Sequence, residues 1–200
     1  MNPKSEYFRK DIEKLHNPHY QEFLTHYFDH IVPEWFWRSG ASSTGKYHPK
    51  FSQGEGGLVR HSRAVFYFTN EGLRMWDTQF TEQEQDWALM AALVHDCAKY
   101  GMTDTFNKTA YRFHDENGAN LFADAWLHYL HYPCPEPLLD CIRGHMGKWA
   151  SKPEYKPKAL LTQIVFNADY FASRRDIDFS ILVDDYEVVR REFHDSNFPF

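Results

Sequence analysis

Ala91-Ala92-Leu93-Val94-His95-Asp96-Cys97-Ala98-Lys99 is an apolar helical run that ends in an imidazole beside a carboxylate, with an ammonium three residues further on. Burying such groups is expensive unless something compensates them. A divalent metal ion is the usual compensation, because it takes neutral His and ionised Asp together. The spacing of the run places His95-Asp96 at the end of the helix that carries Leu89, Leu93 and Val94. If this pair holds a metal, other helices must supply further His and Asp ligands.

They are present at helical spacing. His61 precedes Val65 by four and Phe68 by seven, so it shares their inward face. His114 opens a helix in which Leu121, Ala125, Trp126 and Tyr129 recur at core spacing; His145 follows Leu138, Cys141 and Ile142; Asp169 follows Val165 and Phe166. Six candidate ligands, His61, His95, Asp96, His114, His145 and Asp169, therefore come from five helices. Each alone has a plainer reading. His61 is also compatible with a hydrogen-bonded core histidine, His114 with a helix start, His145 with a cation at a helix C-terminus, and Asp169 with a partner of Arg174 or Arg175. Together they favour a metal, because several unpaired buried polar groups are costly and a metal needs deprotonated, convergent ligands on rigid elements. The mixed nitrogen and oxygen set points to one or two divalent transition-metal ions, Fe, Mn, Ni, Co or Zn, and away from Ca and Mg.

The rest of the chain is helical in pattern, with little strand alternation. Helices are expected over Ser5 to His16, Tyr20 to about Pro33, Leu58 to Trp76, Thr81 to about Lys99, His114 to His131, Pro137 to an end near Gly144 to Trp149, Pro157 to about Ser173 and Asp184 to His194. Arg38 to Gly57 reads as one long loop and Gly101 to Phe113 as a connector. No repeat or linker divides the 200 residues, so the expectation is an all-α bundle of about eight helices in one domain. Aromatics make up 18% of the chain and are read mainly as core, with base stacking as a secondary reading for Trp149.

Composition bounds the partners. A net charge of −6 argues against stable duplex DNA binding, which needs many Lys and Arg contacts to phosphate. Three cysteines, Cys97, Cys134 and Cys141, make no paired framework and read as reduced thiols; with no apolar leader and no membrane-length apolar run, a cytoplasmic location is expected. Lys46 and His48, in the loop before Gly54, are candidates to lie over a bound phosphate. Arg143, Lys148, Lys152, Lys156 and Lys158 form a basic strip flanking His145 that could draw an anionic substrate, and Arg174 is a further candidate contact.

Gly56-Gly57-Leu58-Val59-Arg60-His61-Ser62, His95-Asp96-Cys97-Ala98-Lys99, His114, His145-Met146-Gly147-Lys148-Trp149 and Asn167-Ala168-Asp169-Tyr170-Phe171-Ala172-Ser173-Arg174 resemble, in that order, the motifs of the HD-domain metal-dependent phosphohydrolases. Within that superfamily they are most similar to the HD module of bacterial 3′–5′ exoribonucleases. The resemblance spans roughly residues 54–175; Ser62 stands where Thr is common and Cys97-Ala98 where an apolar residue and Gly are common. It implies one HD-type domain over 1–200, with N-terminal helices at 1–38, an active-site loop at 39–57, a metal-binding core at 58–175 and a C-terminal helix at 176–200. It also implies a metal at His61, His95, Asp96 and Asp169, and a second at His114 and His145 with Asp96 bridging.

The activity implied is cleavage of a phosphoester or phosphodiester bond in nucleotides, cyclic nucleotides or short oligonucleotides. A cation lowers the pKa of bound water from about 15.7 to about 7, and the hydroxide attacks phosphorus in line. Lys99 and Asp96 would be the catalytic side chains, Lys99 bonding to a phosphate oxygen and Asp96 orienting the water; Lys46, His48, Lys148 and Arg174 would hold substrate. Two other classes remain open at this stage: an HD-fold di-iron oxygenase acting on a small organic substrate, and a non-catalytic nucleotide-binding module.

Overall fold

The structure, a computed structural model, describes residues 4–42 and 48–194. It is all helical, as the periodicity predicts, with helices α1 (Arg9–Ile12), α2 (Pro18–His30), α3 (Glu34–Arg38), α4 (Gly57–Met75), α5 (Glu82–Val94), α6 (His114–Leu130), α7 (Glu136–Gly144), α8 (Leu160–Ala172) and α9 (Ser180–His194), and 3-10 turns between them. α4 packs against α5 and α8, and α7 packs against α5, α6 and α8. α5 is the centre of this arrangement: Ala88 to Val94 are all buried, so the helix is apolar on every side where it passes through the core. Thr81 and Glu84 start it with a reciprocal capping box, the Thr81 side chain accepting from the Glu84 amide and Glu84 accepting from the Thr81 amide.

A second, aromatic part of the core joins the N-terminal helices to α6. Phe23 meets Phe122 and Trp126 edge-on at centroid distances of 5.3 Å, and Phe8 stacks on Phe28 at 4.4 Å. Buried Asp86 on α5 accepts from the His16 and Asn17 amides, tying the turn before α2 to the central helix.

Several boundaries differ from the sequence reading. The helix expected over Ser5 to His16 is a 3-10 turn, Lys4–Phe8, followed by the short α1. The second helix ends at His30, near Pro33 as expected, and Pro33 also serves as the N-cap of a further helix, α3. The helix expected to reach Lys99 ends at Val94, and residues 95–100 run on as i→i+3 turns: Cys97 N–H to Val94 O, Lys99 N–H to Asp96 O. The last helix begins at Ser180, four residues before the predicted Asp184.

The loop before α4 is pinned. The Ala41 amide donates to Ser52 O and the Leu58 amide to Ser39 O, both at 2.9 Å. Gly57 sits where these strands of chain cross; a Cβ there would lie 2.3 Å from Ser52 O. This close approach fixes the entry of α4, and His61 follows one turn later.

Candidate metal centre

The six candidate ligands converge. His61 projects from the second turn of α4, His95 caps α5 with Asp96 next to it, His114 is the first residue of α6, His145 caps α7, and Asp169 lies in the last turn of α8. All four histidines and Asp96 are buried. His61 Nε2 lies 3.0 Å from Asp169 Oδ1 and 3.4 Å from His95 Nε2. His114 Nε2 lies 3.0 Å from His145 Nε2. Asp96 stands between the two pairs: its Oδ2 is 3.7 Å from His95 Nε2 and 3.9 Å from His61 Nε2, and its Oδ1 is 3.3 Å from His114 Nε2 and 3.9 Å from His145 Nε2.

The second nitrogen of each ring reveals the protonation pattern. His95 Nδ1 donates to Ala92 O at 2.9 Å, His145 Nδ1 to Ile142 O at 2.6 Å, and His114 Nδ1 to Tyr111 O. A carbonyl oxygen can only accept, so these three rings carry their proton on Nδ1 and turn the Nε2 lone pair into the cluster. Burial, the charge His95 would carry and then that of His114 push the His145 imidazole down to about 3, and burial also lowers His95, so both are neutral at pH 7. Burial works to raise Asp96, but Lys99, His95 and His114 outweigh it and hold the carboxyl well below the usual range. Asp169 is likewise held low, chiefly by His61 against the opposing effect of burial.

The Nε2 lone pairs of His114 and His145 face one another at 3.0 Å and repel unless a cation lies between them. Asp96 Oδ1 is buried and has no hydrogen-bond partner. Both observations fit a divalent ion held by these residues. Two triads of donor atoms lie close enough to share an ion: His61, His95 and Asp169, and His95, Asp96 and His145. The donor set of four imidazoles and two carboxylates suits a transition metal, as the sequence implied.

This cluster floors a cleft of about 870 Å³, lined among others by His48, Asp96, Lys99, Tyr111, Arg112, Trp149, Tyr170 and Arg174. Lys99 Nζ donates to Asp96 Oδ2 at 2.7 Å, and although burial works against its charge, Asp96 raises its pKa. His48 reaches the cluster, its ring 5.3 Å from that of His61, with Nδ1 buried and unpartnered and Nε2 3.4 Å from Ser173 Oγ. Burial, reinforced by His61 and Lys99, pushes this imidazole down to about 3.

Other sequence candidates fall elsewhere. Lys46 lies outside the described residues. Lys148 does not line the cleft; its ammonium rests 4.5 Å over the Trp149 ring. Arg174 lines the cleft and does not pair with Asp169; its Nε donates to Tyr170 O. Two of the five cations of the basic strip are paired with carboxylates, Arg143 with Glu136 and Asp140, and Lys152 with Glu116. Arg112, passed over as part of a connector, lines the cleft with no carboxylate partner among the described residues. Its signal was weak: a cation two residues before His114 in a stretch without periodicity.

The profile of the HD domain matches residues 58–174, which takes in all six residues of the cluster. No curated protein and no solved structure matches the chain. No helix among the described residues is long and apolar enough to cross a membrane. With more than half its length matched and the cluster assembled, the chain belongs to the HD-domain family, whose members are mostly metal-dependent hydrolases.

Proposed function

We propose that this protein hydrolyses phosphoester or phosphodiester bonds in nucleotides, cyclic nucleotides or short oligonucleotides. The observation that carries this reading is the pairing of a buried His/Asp cluster with a cationic cleft above it. His61, His95, Asp96 and Asp169 would hold one divalent ion, and His114 and His145, with Asp96 shared, a second. Such ions lower the pKa of bound water towards 7 and neutralise charge on non-bridging oxygens.

The chain's own groups supply the rest. Asp96 stays ionised and each of its oxygens faces a different histidine pair. Lys99 keeps its proton and sits at the cleft floor beside Asp96, where it can donate a charged hydrogen bond to a phosphoryl oxygen. Arg112 and Arg174 line the cleft without a carboxylate partner among the described residues, so their charge can draw in an anion. The buried floor excludes bulk water and strengthens these charge contacts.

The test is phosphate release from a panel of mononucleotides, cyclic nucleotides and dinucleotides, with Mn, Ni, Co, Fe or Zn added to metal-free protein. Release that disappears in His95→Ala and Asp96→Ala supports the reading. No release from any substrate, together with bound iron and consumption of oxygen, would replace it with the oxygenase class.

A further inference from the structure

The cleft walls carry flat groups that the chemistry above leaves unused. Trp149 lines the cleft and is 57% exposed, and Tyr170 is 38% exposed. Along α8 and just past its end, Phe166, Tyr170 and Arg174 follow at intervals of four, the helical spacing that stacks side chains on one face. The Phe166 and Tyr170 rings are 6.3 Å apart, and the Arg174 guanidinium lies 4.1 Å over Tyr170, fixed by its bond to the Tyr170 carbonyl.

Trp149 is joined to this ladder by Gly147. Gly147 has φ +56°, and a Cβ there would lie 2.1 Å from the Phe166 ring. The turn Gly147–Trp149 therefore lies directly against Phe166, and only glycine permits it. Asp169 immediately precedes Tyr170, so the ladder begins one residue from the ligand cluster.

Large rings left exposed in a concave, charged site mark a binding surface for a ligand with an apolar face. A sugar phosphate offers no π face, only a small C–H patch ringed by hydroxyls that need donors and acceptors. A nucleobase stacks on aromatic and guanidinium planes alike. We propose that Trp149, Tyr170 and Arg174 form a nucleobase subsite, so that the substrate is a nucleoside phosphate rather than a sugar phosphate, its phosphate at Lys99 and its base along these groups. This rests on the phosphoester reading above. Stacking tolerates any base, so discrimination lies between base and no base.

The experiment uses the full chain as wild type, Trp149→Ala and Trp149→Phe. Metal-free protein is titrated with adenosine 5′-monophosphate and with ribose 5-phosphate while tryptophan fluorescence is read. The nucleotide is expected to quench wild type, with the quench reduced in Trp149→Phe, and ribose 5-phosphate to leave it unchanged. With metal added, the ratio of kcat/KM for the nucleotide over ribose 5-phosphate should fall about 10- to 100-fold in Trp149→Ala and recover in Trp149→Phe. Quenching equal in wild type and Trp149→Phe, or an unmoved ratio, overturns the subsite. Phosphate release without base discrimination sinks the subsite and leaves the hydrolase reading standing. A Trp149-dependent quench with no hydrolysis of either compound does the reverse.

Discussion

Replacing Asp96 by Asn in the metal-free protein isolates what the central carboxylate does for the fold. Lys99 has 15% of its side chain exposed and donates a 2.7 Å bond to Asp96 Oδ2, whose own side chain is 2% exposed. Removing one partner of a buried pair costs about 3–5 kcal/mol, because the other charge is stranded. Lys99 borders the cleft and can swing partly into it, which places the expected loss near the lower end, about 3 kcal/mol. For a chain of this size each kcal/mol moves Tm by about 2–4 °C, so Asp96→Asn should melt about 6–12 °C below wild type by differential scanning calorimetry in chelator. Asp96→Asn with Lys99→Met should recover at least half of that, since no unpaired charge remains. Metal adds a second, separable loss. Wild type should gain about 3–4 kcal/mol from an ion at 100 to 1,000 times its Kd, and the variant should gain little. An Asp96→Asn protein that melts within about 1 °C of wild type in chelator would refute the claim that this carboxylate compensates the buried Lys99 charge.

Acidification should destabilise the metal-free protein early. Unfolded imidazoles take up a proton below pH 6.5, whereas folded His48 and His145 stay neutral until about pH 3. Their contribution is complete above 6.5 and is lost as pH falls, at about 1.4 kcal/mol per unit for each, so urea midpoints should drop steeply between pH 6.5 and 4; a flat profile would contradict the buried neutral rings. Lys99→Met should lower kcat about 10²- to 10³-fold with metal content unchanged by elemental analysis, and loss of metal instead would reassign Lys99 to holding Asp96 in place. Gly147→Ala forces a Cβ into the Phe166 ring and should reduce nucleotide binding along with Tm, where an unchanged crystal position of Trp149 would argue against the ladder. Trp126→Ala empties a fully buried site between α2 and α6 and should cost about 3–5 kcal/mol by urea unfolding, with the His/Asp cluster intact.

The His/Asp cluster was legible because its residues break an otherwise regular pattern. His61 and Asp169 occupy inward positions where the spacing calls for apolar side chains, and His95 and His145 end apolar helices. What the pattern could not convey was pairing across the chain. Lys152 looks like a free cation until Glu116, 36 residues away, is placed beside it. Lys148 and Trp149 are neighbours in sequence, yet only Trp149 lines the cleft, because a 3-10 turn sends successive residues in different directions. Arg112 and Tyr111 lie in a 3-10 segment with no buried residue and so no periodicity to read, although both line the cleft. Boundaries failed for a related reason: Cys97 and Ala98 suit an α-helix, and nothing in their side chains signals the i→i+3 turns that follow Val94.

At the C-terminal end of α5 both His95 and Asp96 enter one cluster, and Asp96 lies between two histidine pairs that come from four different helices. The repeated Nδ1 bond to the carbonyl three residues back, made by His95, His114 and His145, is a local device that aims each ring without help from distant residues. His61 lacks it: its Nδ1 is buried and unpartnered, and its Nε2 rests on Asp169. Three of the imidazoles are thus set by their own backbone, while the fourth depends on α8 being in place. The α4–α8 pair is therefore where loosening of the fold should first disorder the centre, on the same helix that carries Tyr170 and leads to Arg174.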